Sequence, residues 1–145
     1  MKLIDRLKTD FGQFLFVVSD DNRWSPDENT IFYRDDSPVE LLHEIGHALC
    51  GHKNFVQDVE LLHMERDAWE KARQIAPKYG VDITDKQIES AMDEYRLWLH
   101  QRSLCPNCSQ NAPQSRSDGR YRCINCDIVW NANDARRSSL RRHKA

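Results

Sequence analysis

No stretch of about 18 consecutive apolar residues occurs anywhere in the chain, so a membrane-crossing helix is not expected. The opening MKLIDRLKTD carries charges but no apolar run behind them. A secretory signal is therefore not expected, and the simplest expectation is a soluble cytoplasmic protein. There is no internal repeat, which argues against a stacked-repeat architecture. Disulfides are not expected either: four of the five cysteines fall in two C-x-x-C pairs, CPNC and CINC, a pattern that in a cytoplasmic chain reads as metal binding.

What is present is uneven. Residues 1–100 hold 12 Lys+Arg against 20 Asp+Glu, net −8, while residues 101–145 hold 9 against 3, net +6; together these give the overall −2. Such a split suggests two modules with different partners. The first hundred residues alternate helix and strand signals. A short helix is expected at about 2–9, a strand in QFLFVV and another in TIFYR (30–34), paired as a hairpin or simply adjacent, and a turn-rich DDNRWSPDEN between them. Ser37, Pro38 and Glu40 read as the capped start of a helix that ends at Cys50, with Gly51 as its stop. A second long helix is expected over 58–76, ended by Pro77 and Gly80, and a third behind the TDKQ capping box (84–87), running to about Gln101. The fold class is α+β.

On the first long helix, LLHEIGHALCGH contains H-E-x-x-H as His43, Glu44 and His47. At about 100° and 1.5 Å per residue the two imidazoles share one face, about 6 Å apart along the axis, within reach of one ion. Glu44 beside them is placed to take a proton from a water at that ion. Leu41, Leu42, Ile45, Ala48 and Leu49 occupy the opposite side, and Gly46 lets a neighbouring element approach closely. Cys50 lies about 10.5 Å along the axis from His43, too far to share the ion, and reads as a packed thiol. His52 follows a helix break and reads as an exposed or capping histidine, with a lesser role as a ligand. On the next helix Glu65 falls within the apolar stripe of Leu61, Leu62, Ala68, Trp69, Ala72 and Ala76, where a carboxylate needs a cation. His63 and Asp67 should face outward. Glu65 is the expected third ligand.

HEIGH, then 17 residues later ERDAWEKA, resembles the small gluzincin-type metallopeptidases of the ImmA/IrrE family, whose members show H-E-x-G-H followed by E-x-E-A-x-x-F-A. The resemblance covers about residues 28–76. It implies a mostly helical zincin-like domain with a short antiparallel sheet over residues 1–101. His43, His47 and Glu65 would hold a catalytic zinc and Glu44 would act as the base. Ala68 and Ala72 also match, while Asp67 replaces the second glutamate and Lys71 stands where phenylalanine is usual. The implied activity is hydrolysis of a protein or peptide substrate, a DNA-associated regulator among the candidates, with the substrate extended along an edge strand such as TIFYR. SprT-type proteases are a rival resemblance, since they join H-E-x-x-H to a zinc ribbon; there His52 or His63 would be the third ligand.

Cys105, Cys108, Cys123 and Cys126 form C-x₂-C-x₁₄-C-x₂-C, the spacing of a structural Cys₄ zinc site, and resemble a zinc ribbon. The ribbon is expected over 102–133, followed by a mobile basic tail over 134–145. Ser109 and Asp127 stand where the knuckles usually have glycine. Arg116, Arg120, Arg122, Arg136, Arg137, Arg141, Arg142 and Lys144 make a basic surface on which Tyr121 and Trp130 could stack bases, so DNA or a DNA-bound protein is an expected partner and a membrane is not. The alternative reading is a non-catalytic zinc module that binds nucleic acid or protein.

Overall fold

The computed structural model describes residues 1–133 and 142–144. The order of elements is α1 (Leu3–Asp10), β1 (Leu15–Val18), β2 (Arg23–Ser25), β3 (Thr30–Tyr33), α2 (Pro38–Cys50), α3 (Asp58–Ile75), a 3₁₀ turn (Ala76–Tyr79), α4 (Asp85–Arg102), β4 (Tyr121–Arg122), β5 (Val129–Ala132) and β6 (Arg142–Lys144). The α+β class expected from the pattern holds. No helix among the described residues is long and apolar enough to cross a membrane. The chain divides into two compact units, residues 1–53 with 64–88, and residues 54–63 with 89–145.

In the first unit β3 is the centre of a three-stranded sheet in the order β1-β3-β2. β2 runs antiparallel to it, with Trp24 opposite Ile31, while β1 runs parallel, with Phe16 opposite the same Ile31. Of the two arrangements expected, a hairpin or two adjacent strands, the pair is adjacent and, being parallel, no hairpin; a third strand appears inside the turn-rich stretch. Ile31 is fully buried and Tyr33 nearly so; a side chain like Ile31 contributes roughly 1.5–3 kcal/mol by leaving water. Because β3 is paired on both sides, the TIFYR segment offers no free edge to a substrate, contrary to expectation; the edges are β1 and β2.

α2 begins and ends where its sequence predicts, with Pro38 in the first turn and Gly51 left-handed at φ 69°. The cap itself differs. The Ser37 hydroxyl makes no bond to the helix and donates instead to Asp36 Oδ1 at 3.2 Å. The TDKQ box does form: Gln87 N–H donates to Thr84 Oγ1 at 3.1 Å and Thr84 N–H to Gln87 Oε1 at 2.8 Å. Leu42, Ile45 and Ala48 are buried on the core side of α2. α2 meets α3 so closely that a Cβ on Gly46 would sit 2.2 Å from the Ala68 carbonyl oxygen. Cys50, expected as a packed thiol, is exposed at the end of α2.

In the second unit the Cys₄ segment is joined to helix ends, not to a linker. β4, β5 and β6 form an antiparallel sheet in that order. Of the tail expected to be mobile, residues 142–144 pair with β5, and the rest lies outside the described residues. Tyr121 and Trp130 stack at 5.4 Å in the core with Cys105 and Cys123. The Trp130 indole N–H donates to Arg102 O at 3.0 Å. Buried Asp58, in the first turn of α3, receives Arg102 Nε at 2.7 Å and the Tyr121 hydroxyl. Gln114 Oε1 accepts the Asp58 amide at 2.6 Å. These bonds explain why the division falls after residue 88 and not at the expected 101: the ribbon, residues 54–63 and the end of α4 share one polar core.

Two substitutions test these contacts. Gly46→Ala should gain about 1 kcal/mol of helix propensity but meet backbone at Ala68, an overpacking cost of about 1–3 kcal/mol or more; net destabilisation is expected in urea unfolding. Asp58→Ala leaves the Arg102 charge buried without its carboxylate, and should lower stability by about 3–5 kcal/mol in the same assay.

Candidate metal centres

The close approach of Gly46 to Ala68 decides what faces what. His43 and His47 lie on the same side of α2 as Gly46, and Glu65 lies one turn before Ala68 on α3. The three side chains converge. His43 Nε2 is 2.8 Å from Glu65 Oε2, His47 Nε2 is 3.1 Å from Glu65 Oε1, and the two imidazole Nε2 atoms are 3.2 Å apart. All three residues are buried, at 6%, 8% and 4% exposure. Trp69, one turn beyond Glu65, stacks on His43 with ring centres 4.1 Å apart.

This geometry suits a cation. Donors on a tetrahedral ion with bonds of about 2.0–2.1 Å stand about 3.3 Å from one another, close to the spacings found. Two nitrogens and a carboxylate crowded together in a dry site also need positive charge between them. Burial pushes the Glu65 carboxyl up, but hydrogen bonds from His43 and His47 outweigh it and hold the carboxyl well below the ordinary range. His43, Glu44 and His47 have their ligand atoms within 4.8 Å of one another and can hold a metal ion. Burial raises the Glu44 carboxyl above its ordinary value, against the pull of His43 and His47.

The other histidines do not supply the third donor. His63 is exposed, as expected, and so is Asp67. His52, expected at the surface or as a cap, is half-buried and turned back onto α2, its Nδ1 2.9 Å from Nδ1 of His47. Burial holds the His52 imidazole below its ordinary value. The sequence left open that His52 folds back after the break at Gly51, as a ligand; its contact with His47 and the His43–Trp69 stack carry no local signal of their own.

The four knuckle cysteines form the second cluster, with all sulfurs within 4.8 Å of one another. Cys105 and Cys126 are 3.5 Å apart, Cys108 and Cys123 3.4 Å. Amides aim at the sulfurs, Asn107 N–H at Cys105 and Asn125 N–H at Cys123, each at 3.4 Å. The Asn125 side chain and the Gln110 amide draw the Cys108 thiol down to about 6. Ser109 and Asp127 take left-handed φ of 62° and 64°, so the turns close in the usual way without glycine, and Asp127 accepts from Arg122 at 2.9 Å.

The basic surface is only partly as expected. Arg116, Arg120 and Arg122 are exposed. Arg142 is half-buried and donates to the Leu104 carbonyl. Arg136, Arg137 and Arg141 lie outside the described residues. Tyr121 and Trp130 are 2% and 0% exposed and cannot stack on bases; they are the core of the ribbon. Comparison of the chain with models of protein families, with curated proteins and with solved structures returns no match.

Two donor sets predict two metal ions per chain by elemental analysis. Cys123→Ser should remove one and His47→Ala the other, each variant retaining a single ion.

Proposed function

We propose that the chain is a zinc-dependent endopeptidase acting on a protein substrate, of the kind its likeness to the ImmA/IrrE metallopeptidases implies. The observation that carries this reading is the buried Glu65 carboxylate, 2.8 and 3.1 Å from the two motif histidines. That set of two imidazoles and one carboxylate is the donor set of a catalytic zinc, and a fourth position would stay open for water. It also favours this resemblance over the SprT type, which needs a third histidine.

His43, His47 and Glu65 hold the ion. Zinc bound there supplies Lewis acidity, polarising a carbonyl and lowering the pKa of water towards about 7. Glu44, adjacent in sequence to His43 but not needed as a donor, takes the proton from the attacking water and delivers it to the leaving amine. Trp69 covers one face of His43 and keeps bulk solvent from that ligand. The Cys₄ cluster holds the second, structural zinc. The ribbon brings the enzyme to its substrate, a DNA-associated regulator or the nucleic acid beside it, through Arg116, Arg120 and Arg122, whose heads are in solvent.

Glu44→Gln should keep both ions and lower cleavage of candidate DNA-associated regulators by roughly 10²–10⁴-fold, to the level seen with chelator. Full cleavage by that variant would overturn the assigned base.

A further inference from the structure

Gly51 does more than stop α2. With the glycine left-handed, its N–H donates to Ala48 O and the His52 N–H to His47 O, both at 3.1 Å. This is the Schellman pairing, which reverses the chain over the last helical turn. His52 is thereby laid back on His47, their Nδ1 atoms 2.9 Å apart and their rings crossing at 68°. The His52 carbonyl is fixed from another side by the Trp24 indole N–H at 3.1 Å. The residue is held through its amide and its carbonyl, and its ring lies in hydrogen-bonding reach of the His47 imidazole.

An imidazole has two ring nitrogens, and a Nδ1–Nδ1 hydrogen bond needs one to donate and the other to accept. For His47 to offer an Nε2 lone pair to an ion shared with Glu65, its proton must sit on Nδ1. That proton then goes to His52 Nδ1, and His52 carries its own on Nε2. Metal-ligating histidines are generally fixed in this way by a partner on the far nitrogen. The first motif histidine has no such partner: His43 Nδ1 is buried without a hydrogen bond among the described residues, and the ring is located by stacking on Trp69.

We infer that His52 is a positioning residue, which holds His47 in the tautomer and ring orientation that a metal ion at His43, His47 and Glu65 requires. The inference rests on the metal site proposed above. It gives the last residue of HEIGHALCGH a role set by the turn that precedes it, and it explains why the helix must stop at Gly51: another turn of helix would carry His52 away from His47.

The test uses full-length protein, stripped of metal and reloaded with zinc against a competing chelator, in three forms. His52→Phe keeps a ring but removes the acceptor; His52→Asn keeps an acceptor at the distance of Nδ1 from the backbone. Zinc affinity of the weaker of two sites should fall roughly 10–100-fold in His52→Phe and recover to within a few-fold of wild type in His52→Asn. Equal affinity in all three forms would overturn the inference, as would a loss that His52→Asn does not restore. A wild-type chain that takes up one ion and no second would instead overturn the site on which the inference stands.

Discussion

A carboxylate without water is the constraint around which the first unit is arranged. Glu65 is 4% exposed, and an ionised carboxylate in such a place costs several kcal/mol unless charge and hydrogen bonds meet it. His43 and His47 meet it, and they can do so only because α2 and α3 approach until the Gly46 position touches Ala68 backbone. Core residues such as Leu42 and Ile45, both fully buried, hold α2 in place. The same contacts that bury the carboxylate leave two imidazole nitrogens and an oxygen facing a common centre.

The second unit repeats the principle with different groups. Asp58 is as buried as Glu65, and its charge is met by Arg102, the Tyr121 hydroxyl and its place in the first turn of α3. A ribbon of this size buries little apolar surface. It draws on Tyr121 and Trp130 stacked beside the cysteines, on helix ends that lend it polar partners, and on four sulfurs grouped where a metal ion could be held. Aromatic residues that could have been a nucleic-acid platform are consumed by that need.

Local rules made much of this readable in advance. His43 and His47 are fixed on one face by helix geometry alone, Glu65 by its place on an apolar stripe, the helix limits by Pro38, Gly51 and Thr84, and the four cysteines by their spacing. What escaped was set by contacts distant in sequence. β2 is three residues long among turn formers, and only its pairing with β3 makes it a strand. β1 joins that sheet parallel, which no local pattern dictates. Tyr121 and Trp130 sit in a basic, polar stretch, yet Asp58 and Arg102, far off in the chain, complete a core around them. His52 depended on a reversal whose outcome is visible only once the Gly51 turn is built.

The most direct test of the central claim is zinc K-edge X-ray absorption on the fully loaded chain. Four thiolates on one ion, and two imidazoles, a carboxylate and a water on the other, predict equal numbers of sulfur neighbours at about 2.3 Å and nitrogen or oxygen neighbours at about 2.0–2.1 Å. A spectrum with sulfur neighbours alone would contradict the account.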